Sequence, residues 1–78
     1  MKLQIRFCYR WNYGKEAARV AEELFSDKTI RYDIIEVSLK EAPPGYFIVK
    51  LNDKIIFNNK SEERMLTKGE IIELIKNV

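Results

Sequence analysis

Cys8 is the only cysteine in a chain of 78 residues that contains no histidine. Those two facts narrow the chemistry sharply. No intrachain disulfide, His-based metal site, Ser-His-Asp triad or Cys-His pair can be assembled. What remains is a single thiol, which becomes a nucleophile only when ionised, and ionisation is favoured by a nearby cation or by free backbone amides at a helix start. Arg10 lies two residues beyond Cys8, where its guanidinium would favour the thiolate. Tyr9, Trp11 and Tyr13 fall within the same five residues, and Tyr and Trp are common anchors of protein interfaces. Each feature also has a plainer reading. A free cysteine at the end of a central strand often serves as a small apolar filler, and Tyr13 fits the buried stripe of a helix without any partner.

The elements around Cys8 follow from the hydrophobic spacing. Leu3, Ile5 and Phe7 alternate with Lys2, Gln4 and Arg6, which predicts a strand over residues 2–8 with one covered face. From Tyr13 the spacing changes to three and four, through Ala17, Val20, Ala21, Leu24 and Phe25. This predicts an amphipathic helix capped by the Asn12 side chain and ending near Ser26-Asp27. Ile30 to Leu39 is rich in β-branched residues, but its apolar phase slips between Ile34 and Ile35, as expected of a strand covered on both faces or carrying a bulge. Glu41-Ala42-Pro43-Pro44-Gly45 reads as a loop, with trans bonds the default for both prolines. Tyr46–Leu51 and Lys54–Phe57, joined by Asn52-Asp53, read as a hairpin. Residues 58–66 read as a surface loop. Thr67 and Glu70 then have the spacing of a capping box ahead of a helix whose stripe is Ile71, Leu74, Ile75 and Val78.

The predicted order is β-α-β-β-β-α in a single domain spanning residues 1–78, since the chain is too short for a second core. A strand, helix and strand form a right-handed βαβ unit with parallel strands, which the hairpin then extends. The expected class is therefore α/β, thioredoxin-like, with a four-stranded mixed sheet packed by two helices, and a split-βαβ order as the alternative. An apolar share of 46% with 33% charged residues fits a folded domain, and a net charge of +2 gives no support to nucleic acid as a partner. Lys2, Arg6, Arg10 and Arg31 read as solvated positions. Charges through the first six residues and the lack of paired cysteines lead to the expectation of a cytoplasmic protein with no membrane segment.

Several segments together resemble the selenoprotein W-like, Rdx-type family. Phe7-Cys8-Tyr9-Arg10-Trp11-Asn12-Tyr13 is similar to its redox segment, an aromatic followed by Cys, two residues, Cys or selenocysteine, one residue and an aromatic. Glu22-Glu23-Leu24 suits the end of its first helix. Residues 45–57 resemble its hairpin, and Glu63 to Ile71 resembles its Gly-Arg-Phe-Pro-x-x-Gly-Glu-Ile segment. The resemblance implies a thioredoxin-like redox protein whose reactive thiol is Cys8.

It also exposes a departure. Trp11 stands at the position of the family's second Cys or selenocysteine, so the family's intramolecular bridge cannot form. Either this branch has lost the resolving residue, or a substitution or readthrough at a selenocysteine codon, UGA, one base from the tryptophan codon UGG, has placed Trp11 there and left an inactive version. The implied activity is then that of one thiol, with Cys8 attacking a disulfide or peroxide and forming a mixed disulfide with glutathione or a protein thiol. Glutathione would be a co-substrate, and no bound cofactor or metal is expected. The alternative is a redox-inactive module that keeps the fold and binds a protein through the aromatics near Trp11. The sequence leaves the oligomeric state open.

Overall fold

The computed structural model describes residues 1–78. Its elements are β1 (Lys2–Phe7), α1 (Tyr13–Ser26), a 3₁₀ turn (Arg31–Asp33), β2 (Glu36–Glu41), β3 (Phe47–Leu51), β4 (Lys54–Asn58), α2 (Asn59–Glu62) and α3 (Glu70–Lys76). One mixed sheet has the strand order β2-β1-β3-β4, with β1 parallel to β2 and antiparallel to β3. Because β1 and β2 are direct neighbours, the split-βαβ alternative is excluded.

The alternation in β1 does what its period dictates. Leu3, Ile5 and Phe7 turn to the helices and are buried, and Val49, Phe47 and Leu51 of β3 join them on the same face. Ala17, Val20 and Leu24 of α1 and Ile71 of α3 close that layer. Arg19 ties the two helices together. It pairs with Glu16 and Glu23 at 2.7 Å and donates to the Leu66 carbonyl at 2.8 Å, while Glu23 accepts from the Gly69 amide. The opposite face of the sheet carries no helix.

Several boundaries differ from the sequence expectation. Residues 30–35 are not strand. The Asp27 side chain accepts from the Thr29 and Ile30 amides, and the chain then makes the Arg31–Asp33 turn before pairing begins at Glu36. The second strand is therefore shifted to Glu36–Glu41, takes Glu41 from the predicted loop, and lies at an edge with Leu39 53% exposed, not covered on both sides. Asn12 occupies the N-cap position of α1, but its side chain makes no capping bond. Phe25 and Val78 fall off their predicted stripes and are exposed. The predicted surface loop contains α2, capped by Asn58 through Lys60 N at 2.9 Å.

The Thr67/Glu70 box is half formed. The Glu70 carboxylate accepts from the Thr67 amide at 2.9 Å, but the Thr67 hydroxyl donates to that same carboxylate. An ionised carboxylate is the stronger acceptor, and Arg64 holds it in place with two hydrogen bonds. The hairpin matches its residue types. Asn52 and Asp53 both have positive φ, 49° and 72°, as a type I′ turn requires.

Candidate functional site at Cys8

Cys8 follows the last residue of β1, at the end of the sheet where α1 begins. Its amide donates to the Tyr46 carbonyl at 3.0 Å, which fixes it against the entry to β3. The residue is only 2% exposed, yet each residue of the turn that follows it, Tyr9 to Asn12, is exposed. The thiol therefore lies at the rim of the core, beneath a short irregular segment.

Backbone groups set its acidity. The Gly45 amide has the largest influence and lowers the thiol pKa below its ordinary value, and the amides of Arg10 and Trp11 act in the same direction. Loss of solvent pushes the pKa up but does not overcome them, and the charge of the Arg10 guanidinium adds the smallest contribution. So Arg10 matters at this site more through its peptide than through its side chain.

The position of Gly45 is itself built. Pro43 to Tyr46 forms a turn closed by the Tyr46 amide on the Pro43 carbonyl at 3.1 Å, with Pro44 second and Gly45 third at φ +84°. Pro followed by a positive-φ Gly is the residue pair a type II turn demands. No peptide bond in the chain is cis. Asn59, buried at the start of α2, then clamps the loop. It donates to the Gly45 carbonyl at 2.9 Å and accepts from the Phe47 amide at 2.6 Å. The Tyr13 hydroxyl also reaches the Gly45 carbonyl, at 3.5 Å.

An unbroken run of aromatic contacts joins the residues that flank Cys8 in the chain to the core. Trp11 meets Tyr13 edge-on at 5.6 Å, Tyr13 meets Phe47 at 6.1 Å, Phe47 meets Phe7 at 6.4 Å, and Phe7 meets Tyr9 at 5.0 Å. The middle of this run is core. Its ends, Tyr9 and Trp11, are 55% and 59% exposed and stand on the surface beside the thiol. Lys60 lies over the Tyr46 ring at 5.6 Å and comes within 2.8 Å of where a side chain on Gly45 would begin.

The structure thus brings Cys8, the Arg10 backbone and Trp11 together, as their spacing required. Gly45, Asn59 and Lys60 belong to the same site and were missed from sequence. The Pro-Pro-Gly turn was a visible signal for Gly45. Asn59 had none, because a polar residue in a polar stretch looks solvated until the chain folds it inward. The molecule's two surface depressions, one between Arg64 and Glu73 and one over Gln4 and Ser38, do not include Cys8.

A parallel strand-helix-strand unit extended by an antiparallel hairpin, with a cysteine where the first strand hands over to the first helix, is the thioredoxin-like arrangement. Two solved structures share the fold. A selenoprotein W-related protein from Vibrio cholerae superposes with a TM-score of 0.86 at 21% identity, covering 97% of this chain and 92% of its own. A protein from Bordetella parapertussis gives the same TM-score and identity over 97% and 94%. No curated protein matches the sequence. The sequence model of the Rdx family matches residues 2–77, and the chain belongs to that family.

Proposed function

We propose that the protein is a redox protein working through one thiol, in which the Cys8 thiolate attacks a disulfide, keeps one sulfur as a mixed disulfide and releases the other as a thiol. A second thiol, from glutathione or a protein, attacks the mixed disulfide and regenerates Cys8. The observation that carries this reading is the place of Cys8 where β1 hands over to α1, with its thiol pKa lowered chiefly by the Gly45 amide and further by those of Arg10 and Trp11. Nearby backbone amides stabilise a thiolate, whereas a cysteine that only fills space has its pKa raised by burial. Membership of the Rdx family adds to the reading. With Trp11 at the position of the second sulfur, the resolving thiol must come from another molecule. Exposure to oxidised glutathione, followed by intact-mass measurement, tests it. One glutathione added to the wild-type chain and none to Cys8→Ser is expected, and an unmodified wild-type chain would refute the proposal.

A second reading has its own observation. Tyr9 and Trp11 are more than half exposed beside the thiol, although large aromatics usually bury most of their area. They would form the contact surface for a protein, either as the redox partner's docking platform or as the whole function in a module with no catalysis. Trp11→Ala discriminates the two. Loss of a partner's binding with unchanged Cys8 reactivity toward a small disulfide separates docking from chemistry.

A further inference from the structure

The sheet has two edges, and they are treated differently. On the β4 side the register shifts between Val49 and Lys50, and α2 begins directly at the end of the strand. A bulge of this kind twists an edge away from further pairing. On the β2 side the parallel register runs without a break from Lys2↔Glu36 to Phe7↔Glu41. The strand is mostly exposed, with Leu39 at 53% and Ile35, just before it, at 76%.

The direction of the free backbone groups follows from that register. The Ala42 amide donates to the Phe7 carbonyl, so the even-numbered residues of the strand turn their peptide groups toward β1. Val37, Leu39 and Glu41 turn theirs outward, unpaired. A strand added here in antiparallel fashion must therefore set odd-numbered residues opposite odd-numbered ones.

We propose that the occupant of this edge is a second copy of the chain, with β2 pairing antiparallel to β2 of its partner about a two-fold axis at Ser38. In that register Val37 and Leu39 exchange backbone hydrogen bonds with Leu39 and Val37 of the other copy. On the helix-side face the same residues meet as two apolar pairs. On the open face Glu36 lies opposite Lys40 twice. Neither Glu36 nor Lys40 takes part in any of the four ion pairs within the chain, and Lys40 instead lies next to Arg6. A shift by two residues sets these charges against Ser38, and a shift by four sets Lys40 against Lys40. Only the register centred on Ser38 pairs both charges with their opposites, which is the self-complementarity an isologous interface needs. The product is one continuous eight-stranded sheet with the two Cys8 sites on opposite halves.

Sedimentation equilibrium over a wide concentration range tests this with charge variants of the full chain. Wild type is expected to move from monomer to dimer as concentration rises. Glu36→Lys alone and Lys40→Glu alone should each weaken the dimer about tenfold or more, because each turns two attractive cross-strand pairs into repulsive ones. An equimolar mixture of the two variants should dimerise again, since each then supplies the charge the other lacks. Leu39→Pro removes an outward-facing amide together with the Leu39 side chain of the apolar pairs, at an edge position where proline is tolerated, and should abolish the dimer while circular dichroism stays that of the wild type. A wild type that remains monomeric, charge variants that associate like wild type, or a mixture no tighter than its components would overturn the proposal.

Discussion

Replacing Asn59 with alanine removes the clamp on the loop that faces Cys8, and the consequences can be followed group by group. The Phe47 amide loses its only side-chain acceptor, at 2.6 Å, beside a ring that is fully buried. The Gly45 carbonyl loses its 2.9 Å donor and keeps only the long contact from Tyr13. Leaving a buried polar group unsatisfied costs about 1–3 kcal/mol, so the pair of losses amounts to roughly 2–4 kcal/mol, with Tyr13 limiting the second. For a domain of this size that is a fall in thermal midpoint of about 10–25 °C. Function should change as well, because the Gly45 amide is the largest influence lowering the Cys8 pKa. Released from Asn59, the turn holds that amide less firmly, and the thiol pKa rises. Two assays follow the two effects, thermal unfolding by circular dichroism and the rate of Cys8 alkylation against pH, measured below the variant's midpoint. A variant that melts within two or three degrees of wild type, with an unchanged alkylation profile, would refute this account of the loop.

Further outcomes can be checked with simple variants. Gly45→Ala places a Cβ at φ +84°, a conformation costing an L residue about 1 kcal/mol, and against Lys60; it should lower the thermal midpoint and raise the Cys8 pKa together. Acid should destabilise the protein in a defined window. The Glu70 carboxyl is held down to about 2, chiefly by Arg64 with help from the Thr67 amide, and Asp27 to about 2 by the Thr29 hydroxyl and the Ile30 and Thr29 amides. Their stabilisation is complete above the unfolded values near 4 and is lost as pH falls from about 4 toward 2, so Glu70→Gln should flatten that part of a stability-pH curve. Trp11→Ala should shift the thermal midpoint little, since exposed positions usually change stability by less than about 0.5 kcal/mol. Wild-type Trp11 should accordingly emit at long wavelength and be open to iodide quenching, and a blue-shifted, protected emission would contradict its exposure.

What the sequence makes legible depends on whether the signal is local. The period-two run of β1 and the three-four spacing of α1 each encode a face, so the strand, the helix and the junction at Cys8 could be read directly. The Asn52-Asp53 turn was equally plain, because few residue pairs accept positive φ. The second strand was misplaced because Ile30, Ile34 and Ile35 have the β-branched composition of a strand, while the feature that breaks it, three hydrogen bonds to the Asp27 side chain, is a geometric arrangement and not a composition. Part of the thiol's surroundings arrives from far along the chain. Gly45 and Asn59 lie 37 and 51 positions after Cys8, and spacing near the cysteine carries no trace of them. Arg10 illustrates the related difficulty that a charge is visible in a sequence and a backbone amide is not.

The most direct measurement is the pH titration of Cys8 itself, followed by iodoacetamide alkylation or by thiolate absorbance near 240 nm in the wild-type chain. With the neighbouring amides lowering the thiol pKa, the account predicts a midpoint below the value of about 8.5 found for a free cysteine, moved upward in Asn59→Ala and Gly45→Ala. A midpoint at or above that value, unaffected by either substitution, would contradict the claim that the backbone around Cys8 is arranged to stabilise its thiolate.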